Sequence, residues 1–282
     1  MKKHNWAIFV GINLIIAVIV SLVVRSTQEH STRNLMVLPT PAVSGVVIPV
    51  HLDPPAFEEV YDIHIYVNTD HWYSWALIDM KSGILVGSEN WSEPNYMMSM
   101  GKSWIAADYL SLHPNPNAST LSRLSAMIVD SENQAASEYF GGQASWDRFI
   151  KACGLTDLKT VSHSWSTTGM SARDAARYGY CIYSGYATTP EWTSWIVDKM
   201  RHVRGAGDFG PRALFADRTS VATKNGWFML QGKWYINCLA VTDEWSMSIL
   251  QRWPYSGESY QKAISEAELV CNSIAKQVLR LS

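Results

Sequence analysis

The chain has 282 residues, a formal net charge of −2 and a pI near 6.4; 47% of residues are hydrophobic and 17% charged. That balance suits a packed core and excludes a disordered chain, while the absence of any run of five like charges excludes an electrostatic nucleic-acid binder. The 13 Trp residues read first as core filling, with a stacking surface for sugars or aromatic ligands as the alternative.

At the N-terminus, Lys2 and Lys3 precede an apolar run from Trp6 to Val24 that is broken only by Gly11, Asn13 and Ser21 and stopped by Arg25. About 19 residues rising ~1.5 Å each approach the ~30 Å thickness of the hydrocarbon layer, and the lysines bias this end to the cytoplasm. Residues 1–25 are therefore predicted to be a signal anchor through the cell membrane, with the rest of the chain extracytoplasmic; cleavage and secretion are the alternative. Residues 26–57, rich in Ser, Thr and Pro and without a period, predict a linker. Residues 58–282 are left as the folded domain.

Strand patterns come next. Asp62-Ile-His-Ile-Tyr-Val67 alternates, and 75–78 and 83–86 bracket the turn signal Met80-Lys-Ser-Gly83. A helix is predicted from near Met98 to Pro114, followed by helices at 121–128, 135–140, 146–152, 172–183 and 190–203, punctuated by Gly141-Gly142, Gly154 and Gly205-Ala-Gly207. Strands return at 220–222, 227–230, 234–242 and 245–250. A last helix spans about 259–279, with Ala263, Ala267, Val270, Ile274 and Val278 on one face. Strands, helices, strands and a helix in that order predict an α+β fold: an antiparallel sheet drawn from both chain ends and flanked by helices, with an all-helical insertion.

The four cysteines, Cys153, Cys181, Cys238 and Cys271, fall in the part expected to be exported, where two disulfides have three possible connectivities. Pairing of sequence neighbours, Cys153–Cys181 and Cys238–Cys271, is favoured, with four free thiols as the alternative. No CxxC spacing and no fixed-spacing His set occurs, so neither a metal nor another cofactor is expected.

Three segments carry chemistry. In Ser99-Met-Gly-Lys102 a hydroxyl and an amine lie three residues apart at a helix start, on one face. A lysine neutralised by its surroundings can deprotonate a serine, and the helix mouth offers N–H donors to an oxyanion. Ser131-Glu-Asn133 places a hydroxyl and an amide two residues apart between helices; Ser131 would shuttle a proton to a leaving group, and Asn133 would hold substrate and lysine. Lys224-Asn225-Gly226-Trp227 offers an amine from a strand, with a glycine for close backbone approach, and Lys224 would attract a substrate carboxylate. Taken singly, the same residues serve as a helix cap with a solvated lysine, turn residues, and an edge-strand charge.

Together and in this order, the three segments resemble the S-x-x-K, S-D-N and K-T-G signature of class A β-lactamases and penicillin-binding proteins. Ser166-Thr-Thr168 with Ser171-Ala-Arg-Asp174 is similar to the helix entry after that family's active-site loop. Gly207-Asp-Phe-Gly210, with a Trp near Ser166, resembles the superfamily's compact actinobacterial exported serine hydrolases. The resemblance spans roughly residues 58–280. It implies Ser99 as nucleophile, Lys102 as its base, catalytic roles for Ser131 and Lys224, and substrate contacts from Asn133, Asn225, Gly226 and Trp227. The backbone N–H groups of Ser99 and Trp227 would form the oxyanion hole. The implied partners are a peptidoglycan-like peptide or a β-lactam small molecule, with the membrane reached through the N-terminal helix.

Three departures bear on activity. Glu132 stands where the family has Asp, Asn225 stands where it has Thr or Ser, and only 32 positions separate Ser99 from Ser131. More consequentially, 155–168 contains no Glu. In class A enzymes a Glu from this loop activates the deacylating water, so efficient β-lactam hydrolysis is not expected. His163, Trp165 and Glu132 are expected to be structural. A catalytically weak or inactive cell-envelope binding protein on the same fold is the alternative function.

Overall fold

The structure, a computed structural model, describes residues 54, 56–60 and 63–281. The expected membrane anchor and nearly all of the expected linker lie outside them. No helix among the described residues is long and apolar enough to cross a membrane.

The described residues form nine strands: β1 (Glu58–Val60), β2 (Trp72–Asp79), β3 (Ile84–Gly87), β4 (Asn95–Tyr96), β5 (Gly169–Met170), β6 (Ala222–Thr223), β7 (Gly226–Leu230), β8 (Lys233–Val241) and β9 (Trp245–Pro254). Seven of them build one sheet in the order β1-β3-β2-β9-β8-β6, with β7 also on β8, while β4 and β5 pair separately. The sheet does come from both ends of the chain. It is antiparallel except at its β1–β3 edge, where Glu59 sits opposite Leu85 in a parallel pair; a connection through β2 returns the chain in the same direction.

Local chemistry explains the boundaries. Asp79 turns the β2–β3 hairpin by accepting the N–H groups of Lys81 (3.1 Å) and Ser82 (2.7 Å), and Gly83 takes the left-handed φ of +73° that closes it. The helices are α1 (Lys102–Leu112), α2 (Ala118–Val129), α3 (Asn133–Tyr139), α4 (Gly142–Cys153), α5 (Ala172–Ser184), α6 (Pro190–Arg201) and α7 (Tyr260–Val278). Side-chain oxygens of Asn117, Glu132, Ser171 and Ser259 cap α2, α3, α5 and α7, each satisfying N–H groups that the helix itself leaves open.

Alternation along the strands divides the core in two. Ala76, Ile78, Leu239, Val241 and Leu250 face α1–α6. Trp75, Ile236, Cys238, Met247 and Ile249 face α7, packing on Ala263, Ala267, Val270 and Ile274, most of the stripe read from the sequence. Disulfides Cys153–Cys181 and Cys238–Cys271 tie α4 to α5 and β8 to α7, the nearest-neighbour pairing. Loops of 28 and 33 residues make each worth about 3.5–4 kcal/mol on chain entropy.

One expected strand is absent. Ile63–Val67 pairs with no strand; instead Gln277 of α7 donates to Tyr66 O (2.7 Å) and accepts from Tyr66 N (3.1 Å). Its alternation is real, since Ile65 and Val67 pack into the α7-side core, but a helix side chain takes the backbone bonds a neighbouring strand would have taken.

Candidate active site

The Ser99 segment is held from both sides before α1 begins. Met97 N–H donates to Thr168 O (3.0 Å) and Met98 N–H to Ser166 O (2.9 Å), while Asn237 of β8 donates to Tyr96 O (2.8 Å). These bonds keep Met98 at φ +50°, a left-handed conformation costing about 1–2 kcal/mol outside glycine. A 3-10 turn, Met98–Gly101, then runs straight into α1, so Ser99 sits at a helix mouth where N–H groups lack intrahelical partners. The buried Tyr178 hydroxyl fastens this turn: it accepts from Trp104 N (2.9 Å), donates to Met100 O (3.1 Å) and meets Ser103 Oγ. Burial pushes its phenol far above the ordinary range. Nothing in the sequence marks Tyr178, because its partner is backbone 78 residues away.

Lys102, one turn on, is fully buried. Its Nζ donates to Ser131 O (2.5 Å) and Asn133 Oδ1 (2.6 Å), with Ser131 Oγ at 3.3 Å. Burial lowers its pKa to about 7, against a smaller upward pull from Glu132. A neutral amine has two N–H bonds and one lone pair. The two short contacts use the N–H bonds and leave the lone pair for a hydroxyl proton. Ser131 occupies the α2–α3 turn at φ +59°, which turns both its carbonyl and its hydroxyl toward Lys102.

Lys224 reaches the same hydroxyl from the sheet, its Nζ lying 3.0 Å from Ser131 Oγ. It is also fully buried; desolvation first, and then the neighbouring Lys102, hold its pKa well below the usual lysine value. Ser131 thus bridges two amines contributed by α1 and by the edge strand. Ser99 Oγ has no hydrogen-bond partner among the described residues.

The edge strand decides the other assignments. β6 and β7 pair with β8 in one continuous register, Thr223 opposite Ala240 and Gly226 opposite Asn237, so side chains alternate from Ala222 through Trp227. Lys224 and Gly226 face the helices and the Ser99 turn. A Cβ on Gly226 would collide with Met97 O and lie 3.0 Å from Ser99 N and 2.9 Å from Met100 N; only glycine permits this approach. Lys224 N–H donates to Leu239 O (3.1 Å), and antiparallel alternation therefore directs the Trp227 N–H away from β8, along the free sheet edge.

Asn225 and Trp227 point to the opposite face, which for Asn225 corrects the expectation that its side chain contacts substrate. Asn225 Nδ2 donates to Gly207 O (3.0 Å) and Phe209 O (2.7 Å), and its Oδ1 accepts from Leu239 N and Thr223 Oγ1 (both 3.1 Å). All its capacity is spent inside the α7-side layer, so the amide replaces no carboxylate-binding hydroxyl. Trp227 packs edge-on to Phe209, and its ring centroid lies 5.9 Å from Lys224 Nζ. Asn133 holds Lys102 from the exposed start of α3.

The 155–168 loop supplies no carboxylate to the site. Its one acid, Asp157, binds Ser171 Oγ (2.8 Å) and Arg173 (2.8 and 3.1 Å). Glu132 is the cap of α3, accepting from Gln134 N (2.5 Å) and Ala135 N (2.6 Å). Trp165 does more than pack: its ring centroid lies 4.8 Å from Lys102 Nζ, and its Nε1–H donates to Ser137 Oγ on α3 (3.1 Å). Among the described residues, no group of His, Cys, Asp or Glu could hold a metal ion.

No protein-family model matches this sequence, and no curated protein matches it either. Solved structures do. The β-lactamase from Streptosporangium roseum is 14% identical, with a TM-score of 0.58 over 74% of this chain and 93% of that one. The TLA-3 extended-spectrum β-lactamase is 14% identical (TM-score 0.59, covering 75% and 94%). The L2 protein complexed with relebactam is 18% identical (TM-score 0.54, covering 75% and 91%). At such identities the likeness is one of fold: the described domain has the architecture of class A β-lactamases.

Proposed function

We propose that this class A β-lactamase-like chain is an exported serine acyl-transfer hydrolase that forms an ester between Ser99 and the carbonyl of a cell-wall peptide or β-lactam-like substrate. The observation that carries this is Ser131 Oγ shared by two buried amines, Lys102 and Lys224, beside a serine at a helix mouth.

Ser99 Oγ attacks the carbonyl carbon and its proton passes to the lone pair of Lys102. The oxyanion lies toward the N–H groups of Ser99 and Trp227. The C–N bond then breaks as the leaving nitrogen takes the Ser131 proton, which the adjoining amines replace. With no spare carboxylate on the loop, the ester is long-lived and β-lactam turnover is slow. Two disulfides suit an oxidising compartment, in keeping with an N-terminal segment that anchors the domain outside the cytoplasm.

A fluorescent penicillin should label the wild-type chain and leave Ser99→Ala blank, with intact mass giving one adduct on the serine. If neither protein is labelled by penicillin or by a fluorophosphonate, acyl transfer is refuted. One observation favours a second reading, a non-catalytic receptor for wall peptides: the Lys102 amine is bonded to Ser131 and Asn133 rather than to Ser99. Peptidoglycan fragments retained equally by wild type and Ser99→Ala, with no covalent adduct, would establish that reading instead.

A further inference from the structure

We infer that Trp165 sets the lifetime of the acyl-enzyme by excluding hydrolytic water from Lys102. The inference rests on the acyl-transfer reading above and identifies what controls release at that site.

Deacylation needs a water that is both beside the ester and hydrogen-bonded to a base. Its oxygen bonds to the acyl carbon, and its proton goes to the Lys102 amine. The bond from that carbon to Ser99 Oγ breaks, and Oγ recovers a proton as the carboxylic acid leaves. Within the site, Lys102 is the base for this step, because the carboxylates of Asp157 and Glu132 are committed to Arg173 and to the α3 N-terminus and the Lys224 amine is engaged with Ser131 Oγ.

A water standing between the amine and an indole face would need about 6 Å, one hydrogen bond of about 2.8 Å plus one van der Waals contact of about 3.4 Å. The observed separation from Nζ to the ring centroid is 4.8 Å. The indole therefore fills the space on the loop side of Lys102, while Ser131 and Asn133 accept from the amine's two N–H bonds. The ring is also anchored, since its Nε1–H bond to Ser137 Oγ spans from the loop to α3. Opening the shield requires that bond to break or the loop to move. The lowered basicity of Lys102 adds to the same conclusion: the amine is a competent base that water does not reach.

The test uses the full-length chain, saturated with a fluorescent penicillin and cleared of excess, with labelling and release rates measured separately by intact mass. Trp165→Ala should release label roughly tenfold faster than wild type or more. Trp165→Phe and Ser137→Ala, which lose the anchoring bond but keep a ring, should fall between the two. Melting midpoints confirm that each variant is folded; should Trp165→Ala fail to fold, the other two substitutions decide. Equal release rates in labelled wild type, Trp165→Phe and Ser137→Ala overturn the inference and leave the acyl-transfer reading intact. Absence of label on wild type from both penicillin and a fluorophosphonate overturns that reading and this inference with it.

Discussion

Raising the pH from 6 to 8 should increase the rate of Ser99 acylation roughly tenfold and then bring it to a plateau. The base must be neutral to accept the Ser99 proton, and burial places Lys102 at about 7. The neutral fraction is then about one tenth at pH 6, one half at pH 7 and nine tenths at pH 8. Initial rates of fluorescent-penicillin labelling across pH 5.5–9.5 give the curve directly. Glu132→Gln removes the negative charge that favours protonated Lys102, so its midpoint should move to lower pH. A solvated lysine would instead give a rate climbing tenfold per pH unit through pH 9, and that result, or a flat profile, refutes the assignment of Lys102 as base. The same shift has a stability consequence of defined sign. Between pH 7 and 10.5 the unfolded chain holds a proton at residue 102 that the folded chain does not, so stability rises with pH in this window. The contribution of Lys102 from pH 7 to pH 9 is about 2 kcal/mol, measurable by urea unfolding as a shallower rise in Lys102→Met, where Lys224, also held low by burial, still contributes.

Three further outcomes follow from the geometry. Gly226→Ala drives a methyl into the backbone of Met97, Ser99 and Met100; displacing these N–H groups should slow labelling on the order of 10²–10³-fold and cost about 1–3 kcal/mol in urea unfolding. Asn225→Ala strands the Gly207 and Phe209 carbonyls and the Leu239 N–H, and at about 1–3 kcal/mol per buried unpaired group it should lower the urea midpoint strongly. Replacing Cys238 and Cys271 together by Ser should remove about 3.7 kcal/mol on the chain-entropy estimate for a 33-residue loop, read as a lower melting temperature, with any further drop in reductant coming from Cys153–Cys181 alone.

Much of the scaffold was legible because its signals are local. The stripe of α7 and the turn at Asp79–Gly83 depend on residues within one or two helical turns of each other. Ile63–Val67 was misassigned for the converse reason: alternation reports which side chains are buried but not what accepts the backbone bonds, and here the acceptor and donor is Gln277. At the site, Lys102, Ser131, Asn133 and Lys224, all marked in the sequence, are groups that the fold does bring together. Asn225 was misread because one residue along a strand reverses the face, and the register that fixes the face belongs to β8. Trp165 was read as packing because its partners, Lys102 and Ser137, lie 63 and 28 positions away.

By itself the sequence determined which groups were available: a hydroxyl and an amine within one helical turn, a second hydroxyl and amine elsewhere, and a loop without Glu. Only the tertiary structure decided their state. Burial lowers the basicity of both lysines, strand register turns Asn225 from the cleft, and an indole closes over Lys102. The reason is that charge state and orientation depend on the dielectric and partners around a group, and distant stretches of chain supply these only when the sheet and helices pack.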